Sequence, residues 1–275
     1  MFPSFEIFGR EVSMYALMVG LGLIACIFVC NALGRKRGLP PYDFLSAMAV
    51  MAIFAFLGAK LLFGLTNIDF LAEVASRIQN FKSINGILTA IYLAFSGMVF
   101  YGGVFGAIAG MLVWLKVTKR PKPDYLDLLA VGIPLFHAIT RIGCFLGGCC
   151  YGIECDIGFV YTENPIESAN GVPRFPVQLL ESACEAVLFA VLLSLFRRRR
   201  SHGELIWIWL GSYAAIRFLD EFLRGDAFRG FLGPLSTSQW ISLAVLAVVA
   251  VYAIRRRRVG KRTCGFGLPQ DDATV

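Results

Sequence analysis

Long apolar runs constrain this chain more than any other feature of its sequence. Several segments of roughly 20 residues contain few charged side chains, and a run of about 18 or more such residues can cross a ~30 Å hydrocarbon core as a helix. A backbone surrounded by lipid must satisfy its own hydrogen bonds, so runs of this length indicate helices. We therefore predict an all-α integral membrane fold with seven transmembrane helices. The predicted spans are residues 12–33, 43–65, 97–115, 125–147, 176–196, 203–223 and 238–254.

The composition supports a chain that lies mostly in a membrane. Of its 275 residues 57% are hydrophobic and 16% are charged, whereas a soluble domain has roughly 25% charged residues. The first ten residues lack a basic region, and no A-x-A cleavage site follows the first apolar run, so we expect that run to be a retained helix and not a removed signal peptide. No separate soluble domain is predicted.

The basic residues predict the orientation of the helices. Most of the 26 Lys and Arg lie in alternate connectors and near the C-terminus: Arg35, Lys36, Arg37, Lys116, Lys119, Arg120, Lys122, Arg197–Arg200, Arg255–Arg258, Lys261 and Arg262. Basic connectors stay in the cytoplasm, so we predict an outside N-terminus and a cytoplasmic C-terminus in a bacterial inner membrane. Because topology accounts for these residues, the net charge of +7 does not indicate nucleic-acid binding.

Two connectors are longer than turns, and the tail is polar. We assign residues 1–262 to one membrane domain. Residues 67–95 have apolar positions at helical spacing with charges between them, which is typical of a helix lying in the outer interface plane. Residues 148–174 form a periplasmic loop rich in Gly and Cys, and such loops often carry function. Residues 263–275 are predicted to be a disordered cytoplasmic tail.

Polar side chains recur near the predicted outer ends of the helices. They are Tyr15, Lys60, Tyr101, Arg141, Gln178, Glu181, Glu185, Tyr213, Arg217, Glu221 and Gln239. A charged residue at the centre of a span disfavours insertion by about 2.5–3.5 kcal/mol, so Arg141 and Arg217 must face a polar interior or a carboxylate. The fork of an arginine also suits two phosphate oxygens. This pattern favours a site for a phospholipid headgroup at the outer level.

The sixth predicted span leaves two interpretations open. Tyr213, Arg217, Glu221 and Arg224 recur at helical spacing and share one face. They either contact a headgroup, or Arg217 and Glu221 form an internal ion pair while Arg224 extends to the headgroup level. The small residues Gly102, Gly103, Gly143 and Gly152 likewise indicate either close helix packing or close approach of a headgroup to the backbone.

Four cysteines form a C-x4-C-C-x4-C pattern at the outer end of the fourth span. They are Cys144, Cys149, Cys150 and Cys155. The spacing matches no standard zinc or haem pattern, and we assign the function no metal ion and no other cofactor. Four interpretations of the thiols stay open: a structural disulfide, apolar packing, a reactive thiol near Arg141, or metal ligation.

These residues resemble a known family. The segment TRIGCFLGGCCYG (140–152) is similar to the prolipoprotein diacylglyceryl transferase signature, whose usual form is close to G-R-x-G-N-F-x-N-G-E-x-x-G. Other segments resemble the family in the same order along the chain: MYALM (14–18), LGAKL (57–61), GMVFYGGVFG (97–106), FPVQLLES (175–182), YAAIRFLDEFLR (213–224) and TSQWIS (237–242).

The resemblance implies an activity and a set of roles. The family transfers a diacylglyceryl group from phosphatidylglycerol to the lipobox cysteine of a preprolipoprotein at the outer face of the inner membrane. The implied partners are phosphatidylglycerol, preprolipoprotein signal peptides and the bilayer. Arg141 and Arg217 would hold the phosphate, and Glu221 would orient Arg217. The implied catalytic residues are Arg141, Arg217, Glu221 and Tyr101, and the implied substrate-binding residues are Tyr15, Lys60, Gly102, Gly103, Gly143, Gly152, Gln178, Tyr213 and Arg224.

The chain departs from the family pattern at positions that bear on proton transfer. Tyr101 and Phe175 stand where the family has histidine. Within the signature, Cys144 and Gly147 replace two asparagines and Cys149 replaces a glutamate. Two alternatives to the transferase therefore stay open. One is a divergent paralogue that performs another lipid-headgroup, thiol-redox or metal-dependent reaction, and the other is a non-enzymatic lipid-binding or transport protein.

Overall fold

A computed structural model describes residues 4–7, 9–67, 97, 99–162, 164, 166–198, 203–226 and 230–264. The chain divides into two compact units, residues 1–26 together with 126–275, and residues 27–125. The interfacial helix predicted within 67–95 lies almost entirely outside the described residues, as does the tail from residue 265 onward.

Seven α-helices make up most of the described residues. They are α1 Met14–Lys36, α2 Asp43–Thr66, α3 Phe100–Thr118, α4 Lys122–Leu146, α5 Val177–Arg198, α6 Leu205–Asp220 and α7 Thr237–Cys264. Six of these seven are long and apolar enough to cross a membrane; α6, with 16 residues, is shorter than the others. The largely helical prediction is confirmed. The third helix begins at Phe100 and not at residue 97, and α7 continues through Cys264, past the predicted start of the tail.

Short strands between the helices depart from an all-α prediction. The antiparallel pairs are β1 Ser4–Ile7 with β2 Arg10–Ser13, β3 Glu154–Val160 with β4 Pro173–Arg174, and β5 Phe231–Leu232 with β6 Leu235–Ser236. Short 3-10 turns occupy Glu167–Ala169 and Glu221–Leu223. All three hairpins lie beyond helix ends, where the backbone groups need partners that the helices do not supply.

Glycines bring α2 and α3 into close contact within the second unit. A Cβ atom on Gly58 would overlap the carbonyl oxygen of Gly102, and a Cβ on Gly106 would overlap that of Phe54. Gly103 faces the same helix, with 3.7 Å from its would-be Cβ to the carbonyl oxygen of Ala55. Small residues at such a contact let two helices in lipid gain dispersion energy. Gly102 and Gly103 therefore pack helices together, which is one of the two interpretations of the sequence.

A polar cluster at the start of α2 completes the second unit. The hydroxyl of Tyr125 donates a 2.6 Å hydrogen bond to Asp43, and Nε of Arg120 lies 2.7 Å from the same carboxylate. The indole of Trp114 donates to Ser46 over 3.0 Å and its ring meets that of Tyr125 edge-on at 4.9 Å. These contacts join the N-terminal end of α2 to the C-terminal end of α3.

In the first unit, α4 contacts three other helices. Gly22 and Gly143 provide the close approach between α1 and α4, with 3.0 Å from a Cβ on Gly22 to the carbonyl oxygen of Phe136. Ser182 of α5 donates to the carbonyl oxygen of Ala138 at 2.7 Å. The buried carboxylate of Asp127 accepts a 2.9 Å bond from the backbone amide of Leu205 and so caps α6. The helices of this unit are thereby fixed around α4.

We predict that Gly106→Leu destabilises the protein by about 1–3 kcal/mol or more, because the new side chain overlaps the backbone of α2. The measurement is the midpoint of thermal unfolding in a single detergent. Gly20→Leu is the matched control, since a Cβ on Gly20 meets no atom within 4 Å among the described residues. Equal midpoints for the two variants would contradict the packing assigned to α2 and α3.

Candidate functional site

Arg141 forms a buried ion pair with α5. It lies near the C-terminal end of α4, and its Nη2 donates to Glu181 over 2.8 Å while both residues are almost fully buried. Its Nε is also buried but has no hydrogen-bond partner among the described residues. The guanidinium is thus held in place by a carboxylate on one side and keeps an unsatisfied donor. Such a donor suits a negatively charged ligand.

Arg217 repeats this arrangement on α6. Its Nη2 lies 2.7 Å from Glu221, one turn further along, and also donates to Ser238 at the start of α7 over 3.2 Å. Its Nη1 is buried and has no hydrogen-bond partner in the described part of the chain. Tyr213 lies one turn before Arg217 on α6, and its ring contacts that of His137, one turn before Arg141 on α4. The two arginines therefore lie on helices that meet at Tyr213 and His137.

His137 lies one turn before Arg141 on α4 and extends the same polar network. Its Nε2 lies 3.6 Å from Glu181 and its Nδ1 lies 3.5 Å from Glu185. Its ring meets Tyr213 edge-on, with 5.4 Å between centroids. Glu181 thus serves both Arg141 and His137, and this shared carboxylate couples α4 to α5.

Arg224 is buried and bidentate, and it does not extend to the surface. Its Nε and Nη2 donate to the two oxygens of Asp226 at 3.0 and 2.8 Å. The interpretation in which Arg224 extends outward to the headgroup level is therefore wrong for this structure. A fork-to-fork pair with a neighbouring aspartate fixes the guanidinium plane and orders the chain after α6.

Backbone hydrogen bonds join the loop after α4 to the segment that follows α6. The amide of Ile153 donates to Leu223 at 2.9 Å, and that of Gly225 donates to Tyr151 at 3.0 Å. A Cβ on Gly152 would overlap the carbonyl oxygen of Phe175, and one on Gly225 would overlap that of Gly152. Only glycine allows backbones this close. Gly152 therefore joins the cysteine loop to the segment that carries Arg224.

Two amide side chains hold the turn that contains the cysteines. Asn164 donates from Nδ2 to the carbonyl oxygen of Gly148 over 2.6 Å, and Gln178 donates from Nε2 to that of Cys149 over 2.8 Å. Gln178 also donates to the hydroxyl of Tyr161 at 3.2 Å and is buried. The sequence predicts Gln178 as a substrate-binding residue, but in this structure its amide positions the loop.

Three of the four predicted cysteines come together. The Sγ atoms of Cys144, Cys149 and Cys150 all lie within 4.8 Å of one another, and Nη1 of Arg141 lies 3.8 Å from the Cys144 sulfur. Hydrogen bonds from the Cys144 and Cys149 thiols lower the pKa of Cys150, and the same cluster raises the pKa of Cys149. Cys155 is outside the cluster and donates to the carbonyl oxygen of Ile157 at 3.0 Å. All four thiols are free.

The remaining predicted residues fall on both units. Tyr15 lies against Gly143, with 3.3 Å from a Cβ on that glycine to the Tyr15 Cα, and its side chain is 43% exposed. Lys60 and Tyr101 belong to the second unit, where the Lys60 ammonium lies 5.5 Å from the Phe56 ring centroid and Tyr101 is 40% exposed. The roles assigned to Lys60, Tyr101, Gly102 and Gly103 stay predictions.

The sequence places Glu181 and Glu185 at the level of the site but gives them no role, and it gives none to His137 or Asp226. In the structure Glu181 pairs with Arg141, Glu185 lies 3.5 Å from His137, and Asp226 pairs with Arg224. A spacing signal existed: His137 and Arg141 are four residues apart, as are Glu181 and Glu185, so each pair shares a helix face. Spacing does not reveal which two faces meet, and this pairing emerges only from the packing of α4 on α5.

We expect Glu181→Gln to destabilise the protein by on the order of 3 kcal/mol, because the buried cation of Arg141 loses its carboxylate. Thermal unfolding in detergent measures the loss. Glu204→Gln is the matched control, since Glu204 pairs with the exposed Arg256, and exposed pairs contribute at most about 1 kcal/mol. Similar shifts in both variants would show that the Arg141 pair contributes no more than a surface contact.

Comparison with known proteins agrees with this geometry. A phosphatidylglycerol–prolipoprotein diacylglyceryl transferase 2 of Clostridium perfringens is 31% identical over 262 residues, covering 94% of this chain and 96% of the relative. Similar transferases of Clostridium tetani and Geobacter sulfurreducens are each 31% identical, covering 92% and 91% of this chain and 97% and 94% of the relatives. The family model described as prolipoprotein diacylglyceryl transferase matches residues 3–255. This multi-pass membrane chain belongs to the prolipoprotein diacylglyceryl transferase family.

Proposed function

We propose that this chain transfers the diacylglyceryl group of phosphatidylglycerol to the lipobox cysteine thiol of preprolipoproteins. The names of its relatives point to this reaction. The observation that carries the proposal is the state of Arg141 and Arg217. Arg141 is buried and Arg217 is partly buried, and both are held by a carboxylate, yet each keeps a buried nitrogen without a hydrogen-bond partner among the described residues.

Unsatisfied guanidinium donors are a reason to expect a bound anion. A buried donor without a partner costs about 1–3 kcal/mol, and more if the group is charged. A phosphodiester supplies two anionic oxygens, which arginine binds through short charge-assisted bonds. Ser238 and the carboxylates of Glu181 and Glu221 orient the two guanidinium groups before the lipid arrives. Phosphatidylglycerol is thus a ligand whose headgroup matches the open donors.

The proposed reaction is a displacement at the glycerol carbon that carries the phosphate ester. The lipobox thiol releases its proton to solvent, its sulfur forms the new C–S bond with the glycerol carbon, and the C–O bond from that carbon to the phosphate breaks. Glycerol phosphate leaves with the electron pair. Because negative charge grows on the phosphate in the transition state, Arg141 and Arg217 stabilise that state more than the ground state.

The other residues receive supporting roles in this proposal. Tyr213, Tyr15 and Gly143 line the lipid site, while Gly152 and Arg224 keep the cysteine loop in place. For the second unit, we propose that Lys60 and Tyr101 contact lipid, while Gly102 and Gly103 pack α3 against α2. Tyr101 stands at the family's histidine position.

We also propose that the site faces the periplasm from a bacterial inner membrane and that all seven helices span. In the first unit the site residues lie at one set of helix ends, namely the C-terminal ends of α4 and α6 and the N-terminal ends of α5 and α7. Arg197 and Arg198 lie at the other end of α5. With its 3-10 turn, Glu221–Leu223, α6 approaches the roughly 17–25 residues that a span requires.

Purified protein with phosphatidylglycerol and a lipobox peptide should yield a diacylglyceryl thioether, detected by mass spectrometry. Arg141→Ala and Arg217→Ala should each lower the rate by about 100-fold or more, as expected when one donor to a developing charge is removed. Arg256→Ala is the control, because Arg256 pairs with Glu204 at the opposite end of α7 and should leave the rate unchanged.

Rescue of a bacterial strain depleted of its lipoprotein transferase tests the same proposal in cells. The wild-type gene should rescue growth, and the Arg217→Ala gene should not, at equal protein levels. Absence of both product and rescue with folded, membrane-inserted protein would count against the transferase and in favour of a divergent paralogue.

Reporter fusions should test the orientation. Alkaline phosphatase fused after Gly171 should be active, because the cysteine loop is proposed to be periplasmic. Green fluorescent protein fused to the C-terminus should fluoresce, because that end is proposed to be cytoplasmic. A dark C-terminal fusion together with an inactive phosphatase fusion would reverse the proposed topology.

A further inference from the structure

The cysteine cluster has the dimensions of a metal site. The sulfurs of Cys144, Cys149 and Cys150 lie within 4.8 Å of one another. Zinc binds thiolates at about 2.3 Å, which in a tetrahedral site sets sulfurs roughly 3.8 Å apart. Rotation of each cysteine about its Cα–Cβ bond moves its sulfur. Such rotations are enough to shorten the sulfur–sulfur distances to those of a tetrahedral zinc site.

The backbone is shaped to direct consecutive cysteines into one place. Cys150 has φ +57°, in the left-handed region that disfavours residues with a Cβ, and Gly148 before it has φ +72°. Side chains of neighbouring residues in an extended chain point to opposite sides, so this turn is what brings Cys149 and Cys150 together. The hydrogen bonds from Asn164 and Gln178 hold the turn in that conformation. Strain retained in this way is common at functional sites.

Two of the departures from the family pattern fall within the same cluster. Cys144 stands where the signature has asparagine and Cys149 where it has glutamate. These two positions are five residues apart in the sequence and both carry thiols. The structure places them beside the thiol of Cys150. Replacing oxygen and amide groups with sulfur changes the metals that a site prefers toward Zn²⁺ and Cu⁺.

The charges around the cluster suit bound thiolates. Three thiolates with one divalent cation carry a net charge of −1. Nη1 of Arg141 lies 3.8 Å from the Cys144 sulfur. A fixed guanidinium group therefore lies against the cluster and favours an anionic metal–thiolate site, which a purely apolar environment would disfavour.

We propose that Cys144, Cys149 and Cys150 bind one thiophilic cation, with Zn²⁺ as the first candidate. A disulfide would use two of these sulfurs and leave the third alone, whereas a metal ion uses all three. Three protein ligands leave the fourth tetrahedral position open, as in catalytic zinc sites.

The open coordination position gives the metal site a role in the transfer reaction, and this role rests on the proposed function. A thiol that coordinates a metal ion is deprotonated, so the lipobox thiol would release its proton to solvent on binding. The resulting thiolate then forms the C–S bond as the C–O bond to phosphate breaks, and glycerol phosphate leaves. This arrangement supplies a nucleophile in a chain that has Tyr101 at the family's histidine position.

Metal content can be measured without any activity assay. Full-length protein purified in detergent with a phosphine reductant should contain about one zinc per chain by mass spectrometry. Cobalt added to stripped protein should produce sulfur-to-cobalt charge-transfer absorption. Cys149→Ser and Cys150→Ser should each weaken cobalt binding at least tenfold. Cys184→Ser is the matched control and should bind like the wild type, because Cys184 lies on α5 outside the cluster.

Two results would overturn the metal site. One is zinc below about one-tenth of an equivalent together with no charge-transfer band after cobalt addition. The other is equal loss of cobalt binding in Cys149→Ser and Cys184→Ser, which would mean general unfolding. A disulfide between two of the three sulfurs that persists in protein purified from membranes and excludes cobalt would also overturn it.

The outcomes separate this inference from the proposed function. Stoichiometric metal without thioether formation leaves the site standing and removes the transferase. Thioether formation at full rate in metal-stripped protein removes the thiol-activation step. A lipobox peptide should change the cobalt spectrum while its Cys→Ser analogue should not; identical spectra with both peptides would overturn substrate coordination.

Discussion

The need to pair charge that is buried in a membrane protein governs the arrangement of the first unit. Arg141 and Arg217 cannot face lipid without a large cost, and each is placed against a carboxylate, Glu181 on the neighbouring helix and Glu221 on the next turn. The first pair joins α4 to α5, and the hydrogen bond from Arg217 to Ser238 joins α6 to α7. Four helix ends thereby meet where the sequence concentrates its polar groups, and the same pairing leaves donors open to an anion.

A second constraint is the close backbone approach at Gly152 and Gly225. This contact joins the loop after α4 to the segment after α6, so the arginine network and the cysteine cluster belong to one connected part of the structure. Asn164, in the loop between β3 and β4, and Gln178, on α5, hold the turn that contains the cysteines. The proposed headgroup site and the cysteine cluster are therefore held at a fixed separation, which the proposed transfer from phospholipid to thiol requires.

Much of the helical fold was predictable, and the reason is physical. A long apolar segment in lipid can satisfy its backbone hydrogen bonds only as a helix, so hydropathy located both ends of six helices to within a few residues. The exception is α7, which continues ten residues past its predicted end at residue 254. The short hairpins were missed because their strands are too brief to show an alternating pattern. The sequence placed Gln178 and Glu181 at the level of the site, and the resemblance implied a substrate role for Gln178, but depth does not show which group each side chain contacts. His137 was given no role because it does not occupy the position of a missing family residue.

The sequence by itself determined which segments are helical, which residue types lie at one level of those helices, and the family that they resemble. These follow from local properties, since hydropathy, spacing and motif order are all read along the chain. Only the tertiary structure decided which carboxylate holds which guanidinium, that Arg224 is buried against Asp226, and that three of four cysteines form a cluster from which Cys155 is excluded. Such choices depend on helix rotation and on one left-handed turn at Cys150, and spacing along a chain specifies neither.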